Sequence, residues 1–358
     1  MHVFHSRKAA YIIAMMSILC TFLTSCNSSI SISGVGGGNG GNSSSGPIGS
    51  GVQGVRVFVE PDAGDHIITS AIISAQNSVW VEMYLLSDRN VIRAIEEVAH
   101  KGLEVRVMLE PHPFGGGPSP RRTLDLLKAA GVQAQSTDPS FTLTHEKGMI
   151  IDGSTAYIMT SNFTRAALGG SGGNRGGTTN REYDIVDNNA QDVQAVIAIF
   201  NADWSHTTAQ FNDPNLVVSP VNSRNAFTTL IGSAHNTLLI EAEEMNDSDI
   251  EQALVSAAQH GVHIQVILPT ARGSSSNSNS QGISTIKQGG VQVKEDPRLY
   301  MHAKIIVVDG QRAFVGSENI SAQSLNQNRE LGIIVSDGSV LSTLEQTFQQ
   351  DWGDSQSV

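Results

Sequence analysis

Two stretches of the sequence share one pattern: His145-Glu-Lys-Gly-Met-Ile-Ile-Asp152 and His302-Ala-Lys-Ile-Ile-Val-Val-Asp309. In both, a histidine and a lysine two positions apart are followed by apolar, partly β-branched residues, which are typical of a buried strand. Alternate residues of a strand point to the same side. The histidine and the lysine of each copy are therefore expected to face one pocket together.

The rest of the chain repeats in the same order. Residues 77–82 align with 236–241, and the triplet Asn180-Arg-Glu182 aligns with Asn328-Arg-Glu330. Hydrophobic patterning predicts alternating strands and helices in each copy. The predicted elements cover residues 79–85, 91–100, 105–109, 121–130 and 147–151 in the first copy, and 238–242, 250–260, 264–268 and 304–308 in the second. Gly102 and Gly261 follow the first helix of each copy, where a left-handed C-cap favours glycine.

This duplication predicts an α/β fold with two tandem α/β sandwich repeats, residues 55–210 and 211–353, that form one pseudo-twofold unit. The alternative is a pair of independent α/β domains that share no site. Because the same polar motif occurs in both copies, the sequence favours a single site at the interface between them.

Polar residues also follow each motif, as Met159-Thr-Ser-Asn162 in the first copy and Gly316-Ser-Glu-Asn319 in the second. With them the chain resembles the phospholipase D superfamily, whose hallmark is a doubled His-x-Lys-x4-Asp followed by Gly-Ser-x-Asn. The resemblance extends from about residue 55 to residue 352. It implies two phospholipase D-like repeats and metal-independent phosphodiester chemistry through a phosphohistidine, with no cofactor.

A phosphodiester is anionic, so its oxygens must be neutralised before a nucleophile can attack phosphorus. Lys147 and Lys304 offer positive charge, and hydroxyl and amide groups offer neutral donors. The candidate phosphate-binding donors are Thr160, Asn162, Ser317 and Asn319. An imidazole can act as nucleophile or as general acid. The residues alone do not order the two histidines, but the resemblance implies that His145 attacks and that His302 is the general acid and base.

Two further pairs of acidic residues belong to the pattern. The resemblance implies that Glu182 and Glu330, which end the Asn-Arg-Glu triplets, each hold a catalytic imidazole by its second ring nitrogen. The alternative is a surface glutamate paired with the neighbouring arginine. Asp152 and Asp309 stand before glycine at the ends of the motif strands, where Asp-Gly favours a turn, so they are interpreted as structural.

The N-terminus has the character of an export signal. Arg7 and Lys8 precede an apolar stretch at residues 9–23, and small residues then lead to Cys26. This predicts a bacterial lipoprotein signal peptide at residues 1–25 with lipidation of Cys26, and the alternatives are an ordinary signal peptide or an uncleaved anchor. Residues 26–54 are rich in Gly, Ser and Asn and are predicted to form a flexible tether. The expected location is a membrane of the bacterial cell envelope.

The net charge and the predicted lipid anchor restrict the expected class of substrate. A formal net charge of −12 does not indicate a broadly basic nucleic-acid surface, although it is compatible with a local basic groove. The predicted anchor favours hydrolysis of phospholipid headgroups at a membrane. The alternatives are an exported endonuclease, a transphosphatidylase resembling cardiolipin synthase, and a non-catalytic binding lipoprotein. Synthase activity is the less expected of the two lipid reactions, because no spanning helix is evident beyond the signal segment.

Overall fold

The structure is a computed structural model that describes residues 48–114, 120–169, 179–271 and 278–358. The predicted signal peptide, Cys26 and residues 27–47 of the predicted tether lie outside these residues. Among the described residues, no helix combines the length and the apolar character needed to cross a bilayer.

The first repeat contains seven strands and four helices among its described residues. They are β1 (Arg56–Glu60), α1 (His66–Ser74), β2 (Ser78–Met83), α2 (Arg89–His100), β3 (Glu104–Leu109), α3 (Pro120–Ala129), β4 (Gln133–Ser136), β5 (Lys147–Ile151), β6 (Thr155–Met159), β7 (Asn180–Asp187) and α4 (Ala190–Trp204).

The second repeat follows the same plan and adds short elements around it. Its elements are β8 (Leu216–Ser219), α5 (Ser223–Gly232), β9 (Thr237–Ala242), β10 (Met245–Asn246), α6 (Ser248–Gln259), β11 (His263–Pro269), α7 (Ser280–Gln288), β12 (Gln292–Asp296), β13 (Tyr300–Met301), β14 (Lys304–Val308), β15 (Arg312–Gly316), β16 (Ile320–Ser321), α8 (Ala322–Asn326), β17 (Glu330–Val335), α9 (Gly338–Asp354) and β18 (Gln356–Ser357).

Two large mixed sheets have matching strand orders. The first runs β1-β7-β6-β5-β2-β3-β4, and the second runs β8-β17-β15-β14-β9-β11-β12, with β18 on its far edge. The motif strands β5 and β14 lie in the middle of their sheets, antiparallel to β2 and β9. Strand β13 belongs to the second repeat in sequence, but it pairs with β7 in the sheet of the first repeat. The predicted α/β class with two tandem repeats is thereby confirmed.

Local chemistry explains where α2 and α6, the helices predicted at residues 91–100 and 250–260, begin and end. Asp88 caps α2 by accepting the backbone N–H groups of Asn90 and Val91, and Asp247 caps α6 through Ile250. Beyond these helices Gly102 and Gly261 adopt φ values of 88° and 94°. This left-handed backbone is the one that the sequence predicted for both glycines.

Three hydrophobic clusters form the interior. One packs α1, α2 and α3 against the first sheet, and a second packs α5, α6 and α7 against the other sheet. The third is central and joins both repeats, because Ile150 and Ile158 of the first sheet share it with Ile305 and Val307 of the second. Helices α4 and α9 also contribute to this central cluster. Burial of apolar surface therefore holds the two repeats together around the site.

Candidate active site

Each histidine motif is bonded to the opposite repeat through its backbone. The N–H groups of His145 and Glu146 donate to the carbonyl of Arg329 at 2.8 and 3.1 Å, and Arg329 donates back to Leu143. In the other half, β13, which ends one residue before His302, pairs in parallel with the first two residues of β7. Each Asn-Arg-Glu triplet therefore lies beside the motif of the other repeat.

Because of this crossed pairing, the glutamate of each triplet forms a hydrogen bond with the histidine of the other repeat. His145 Nδ1 lies 2.9 Å from Glu330 Oε2, and His302 Nδ1 lies 2.9 Å from Glu182 Oε2. All four side chains are buried. The sequence predicted that the two glutamates would each hold an imidazole, and the structure adds that every pair joins both halves of the chain.

Further hydrogen bonds fix the glutamates. Glu182 accepts from the Thr160 hydroxyl at 2.6 Å and from the Asn180 amide at 2.9 Å. Glu330 accepts from the Ser324 hydroxyl at 2.7 Å and from the Asn328 amide at 3.1 Å. The acidic groups that orient the imidazoles are thus themselves oriented, which limits rotation of both rings.

Burial and charge set the protonation of the first half-site. Burial, reinforced by the nearby lysines, lowers the pKa of His145 despite its contact with Glu330. Burial also opposes ionisation of Glu330, but His145 and Lys147 outweigh it and lower the pKa of Glu330. A neutral His145 that donates from Nδ1 to Glu330 presents the lone pair of Nε2 to the cavity.

The two lysines have different surroundings. Lys147 is fully buried, its ammonium donates to the His145 carbonyl, and its Nζ lies 5.1 Å from the centre of the Tyr84 ring. Burial lowers the pKa of Lys147 to about 7. Lys304 Nζ donates to the His302 carbonyl at 2.5 Å and to Glu243 Oε2 at 2.8 Å.

The buried ammonium of Lys147 leads to a prediction about stability. Its folded pKa of about 7 lies below the ordinary lysine value of about 10.4, so the unfolded chain binds more protons between these values. The penalty on folding is fully present below pH 7 and fades as the pH rises towards 10. Lys147→Met is therefore expected to raise the free energy of unfolding by about 2 to 4 kcal/mol at pH 6.5.

Urea unfolding of Lys147→Met and the wild type at pH 6.5 and pH 9.5 measures this effect. The gain should shrink at the higher pH, whereas Lys128→Met, at an exposed position on α3, should show no such difference. A Lys147→Met variant less stable than the wild type at pH 6.5 would contradict the assignment of a costly buried charge.

The four candidate phosphate donors divide into two groups. Asn162 and Asn319 line a cavity of about 620 Å³ together with His145 and His302. The other two are fully buried and their hydroxyls already have partners: Thr160 donates to Glu182, and the Ser317 hydroxyl accepts the backbone N–H of Leu331 at 3.0 Å. Spacing in the sequence indicates which side of a strand a residue faces but not its depth behind the cavity.

The motif aspartates lie at the strand ends and not in the cavity lining. Asp152 accepts the backbone N–H groups of Gln76, Asn77 and Ser78, and Asp309 accepts those of residues 235–237. Burial opposes their ionisation, but the backbone donors outweigh it and lower both pKa values. Each aspartate thus fixes the turn that leads into β2 or β9.

Sequence reasoning missed three features of the site. Glu243 contacts Lys304 in the cavity, and the Tyr84 ring packs edge-on against His145 with centroids 4.7 Å apart. The arginines of the triplets bind across the interface, Arg181 to Asp351 and Arg329 to Asp203. The signal for the arginines was present, because Asp203-Trp and Asp351-Trp also repeat between the two copies.

One group of buried acids in the described residues has the spacing of a cation site. Oxygens of Glu82, Glu146 and Asp203 lie within 4.8 Å of one another. Burial raises the pKa of Glu82 well above its usual range and that of Glu146 to about 8, and Arg329 already lies against Asp203. Protons on the glutamates and the guanidinium of Arg329 therefore balance the charge of this group. The group is separate from the residues that line the cavity.

Comparison with known proteins agrees with this architecture. The family model described as cardiolipin synthase, PLD-like domain, matches residues 68–204 and 227–352. A probable cardiolipin synthase of Bacillus subtilis is 24% identical over 81% of this chain and 64% of its own length. A mitochondrial cardiolipin hydrolase of Chlamydomonas reinhardtii is 27% identical over 36% of this chain and 57% of its own length.

A solved structure shares the fold at lower sequence identity. The phosphatidylserine synthase of Haemophilus influenzae superimposes with a TM-score of 0.64 at 12% identity, covering 85% of this chain and 87% of the other. The chain spans just under two thirds of the length of the Bacillus relative. The two matched segments nonetheless cover most of the chain and contain both histidine motifs. The chain therefore belongs to the phospholipase D-like domain family.

Proposed function

We propose that this chain transfers the phosphatidyl group of a phospholipid through a phosphohistidine, with an alcohol as the preferred acceptor and water as a competing one. One observation carries the proposal. His145 and His302 line a single cavity, and each is held at Nδ1 by a glutamate of the opposite repeat. Two oriented imidazoles around one cavity can act on the two sides of a phosphorus atom.

In the first step the Nε2 lone pair of His145 attacks phosphorus. The bond between phosphorus and the leaving-group oxygen breaks, and that oxygen takes a proton from Nε2 of His302. Both ring nitrogens of His302 face carboxylate oxygens, Glu182 at Nδ1 and Glu243 at 3.4 Å from Nε2. Carboxylates only accept hydrogen bonds, so Glu182 fixes Nδ1 as a donor, and Nε2 is the nitrogen that gives its proton to the leaving oxygen.

In the second step an acceptor hydroxyl gives its proton to His302 and attacks phosphorus. The bond between phosphorus and His145 breaks, and both imidazoles return to their starting states. Glu330 stabilises the positive charge that His145 carries as a phosphoimidazole, because it accepts the remaining N–H at 2.9 Å. The same sequence with water as the acceptor gives hydrolysis.

The charge on phosphate would be balanced by Lys147, Lys304 and the amides of Asn162 and Asn319. The amides line the cavity, and each lysine ammonium is bonded to the carbonyl of its own histidine. We reassign Thr160 from a phosphate donor to a positioning residue, because its hydroxyl is bonded to Glu182. Resistance of the activity to EDTA is expected, since these groups supply the electrostatic stabilisation.

The relatives favour transfer over the hydrolysis that the sequence alone suggested. Those with the longest alignments are named as cardiolipin synthases, and one shorter relative is named as a cardiolipin hydrolase. The phospholipid substrate rests on these relatives. Anchoring through Cys26 and location in the cell envelope rest on the sequence pattern of residues 1–26. A nuclease is the weaker alternative, because a net charge of −12 gives no general attraction to a polyanion.

A substrate panel tests this proposal. Purified protein is given vesicles of phosphatidylglycerol, of phosphatidylcholine and of cardiolipin, single-stranded DNA, and bis(p-nitrophenyl) phosphate, each with EDTA and with added ethanol. Mass spectrometry is expected to detect cardiolipin formed from phosphatidylglycerol, and phosphatidylethanol as the product of the added alcohol. A His145→Asn, His302→Asn double variant is the matched control for contaminating activity.

The panel separates the proposal from its alternatives. Phosphatidic acid as the sole lipid product would replace transfer by hydrolysis. Cleavage of DNA with every lipid intact would favour the nuclease. Inertness towards every phosphodiester would contradict an enzymatic role and favour a binding lipoprotein.

A further inference from the structure

One carboxylate of the cavity occupies the place where an anionic substrate is expected. Glu243 Oε2 lies 2.8 Å from Lys304 Nζ, 3.4 Å from His302 Nε2 and 3.5 Å from Asn319 Nδ2. Its other oxygen accepts the Tyr300 hydroxyl at 3.0 Å. An ammonium, an imidazole nitrogen and an amide that converge on one oxygen are the groups that a phosphate oxygen would meet there.

The charge of Glu243 supports the comparison between its carboxylate and a phosphate group. Burial opposes its ionisation, but His302 and Lys304 outweigh burial and lower its pKa well below the usual range. Glu243 is therefore an anion throughout the neutral pH range. An anionic carboxylate and an anionic phosphate cannot share the same three donors, because the donors are few and like charges repel at short distance.

The first half-site has no such carboxylate at the matching position. Met83 pairs with Lys147, and Ala242 pairs with Lys304, so Tyr84 and Glu243 are the corresponding residues one position beyond β2 and β9. The Tyr84 ring packs against His145 and leaves its Nε2 without a competing anion from this position. The two half-sites therefore differ in charge where their residue types differ.

We propose that Glu243 is an internal anion that holds the phosphate position of the free protein and must leave that position before a phosphate or a phosphodiester can bind. The inference deepens the proposed function and rests on it for the identity of the displaced ligand. The side chain has room to move, because Glu243 itself lines the cavity of about 620 Å³. Affinity for a phosphate group is then reduced by the fraction of molecules in which Glu243 occupies the position.

Titration with inorganic phosphate tests this inference without turnover. Dissociation constants are measured by calorimetry at pH 7 and low salt for the wild type, Glu243→Gln and Glu243→Asp. If Glu243 occupies the phosphate position in about nine of ten wild-type molecules, Glu243→Gln should bind phosphate about tenfold more tightly than the wild type. Glu243→Asp, whose carboxylate is one methylene shorter, is expected to fall between them and supplies the test if the glutamine variant does not fold.

Glu244→Gln is the matched control for the loss of one negative charge. Its carboxyl is the neighbour of Glu243 and is paired with the Ser321 hydroxyl. Glu244 also lines the cavity, but its carboxyl is paired with Ser321, so its loss removes a nearby charge without freeing the three donors that Glu243 contacts. Phosphate affinity in this control should therefore rise clearly less than in Glu243→Gln. A folded Glu243→Gln variant with wild-type or weaker phosphate binding would overturn the inference, as would equal gains in both variants.

Failure of this inference can be told apart from failure of the proposed function. Tighter phosphate binding by Glu243→Gln in a protein inert towards every phosphodiester would keep Glu243 as an internal anion and reject the transferase. Turnover of phospholipid with no gain in phosphate affinity would keep the transferase and reject the role of Glu243.

Discussion

Replacing either His145 or His302 with asparagine is expected to lower turnover of phospholipid by about 10³-fold to 10⁵-fold. Asparagine retains an amide that can donate to Glu330 or Glu182, so the buried carboxylates keep a partner and the fold is preserved. Without His145 no nucleophile faces phosphorus. Without His302 the leaving alkoxide receives no proton. Lipid turnover, with the melting temperature as a check on folding, measures the loss.

A substrate whose leaving group needs no proton distinguishes the nucleophile, His145, from the general acid, His302. p-Nitrophenolate leaves without a proton, so His302→Asn should release about one p-nitrophenolate per site from bis(p-nitrophenyl) phosphate and then stall. His145→Asn should give no burst. His100→Asn, on the exposed end of α2, is the control and should behave as the wild type. A burst in His145→Asn and none in His302→Asn would reverse the assignment.

Arg181→Met is expected to destabilise the protein by about 3 to 5 kcal/mol, the cost of breaking a buried ion pair by removing one partner. The Arg181 guanidinium donates to both oxygens of Asp351, at 2.5 and 2.8 Å, and to the carbonyl of Glu60 at 2.9 Å. Its loss leaves the buried Asp351 carboxylate without this partner at the interface between the repeats. Urea unfolding with a common slope measures the change.

An exposed pair on the same protein provides the control. Lys101 and Glu97 lie 2.7 Å apart on α2, with about half of each side chain exposed. Lys101→Ala is expected to change stability by less than about 0.5 kcal/mol, because solvent screens such a pair. If Arg181→Met lowers the free energy of unfolding no more than Lys101→Ala does, Arg181 does not contribute to holding the two repeats together.

The strands and helices that the sequence predicted lie close to their observed positions, but others, α1, α4, α5 and α9 among them, were not predicted. The apolar runs after Lys147 and Lys304 predicted β5 and β14 at the observed residues, since a buried central strand is apolar on both faces. Gly102 and Gly261 marked the ends of α2 and α6 for a conformational reason that needs no tertiary information. Duplication extended most of these predictions to the second copy, but α7, the counterpart of the helix predicted at residues 121–130, was not predicted.

The exchange between repeats could not be predicted from local patterns. Glu182 is nearer in sequence to His145, yet it binds His302, because β13 crosses to pair with β7. A motif and its spacing do not encode which repeat supplies a partner. Glu243 was missed for a related reason. It stands where the first repeat has Tyr84, so a search for residues common to both copies passes over it.

The most direct test of a site shared by both repeats is to map the covalent intermediate. Wild-type protein is mixed with bis(p-nitrophenyl) phosphate, quenched in alkali within one turnover, digested and analysed by mass spectrometry. An acid-labile, alkali-stable phosphoryl adduct is expected on His145, and it should accumulate in His302→Asn. Turnover with the adduct on another residue, or with no adduct in the wild type or in the His302→Asn variant, would contradict this expectation.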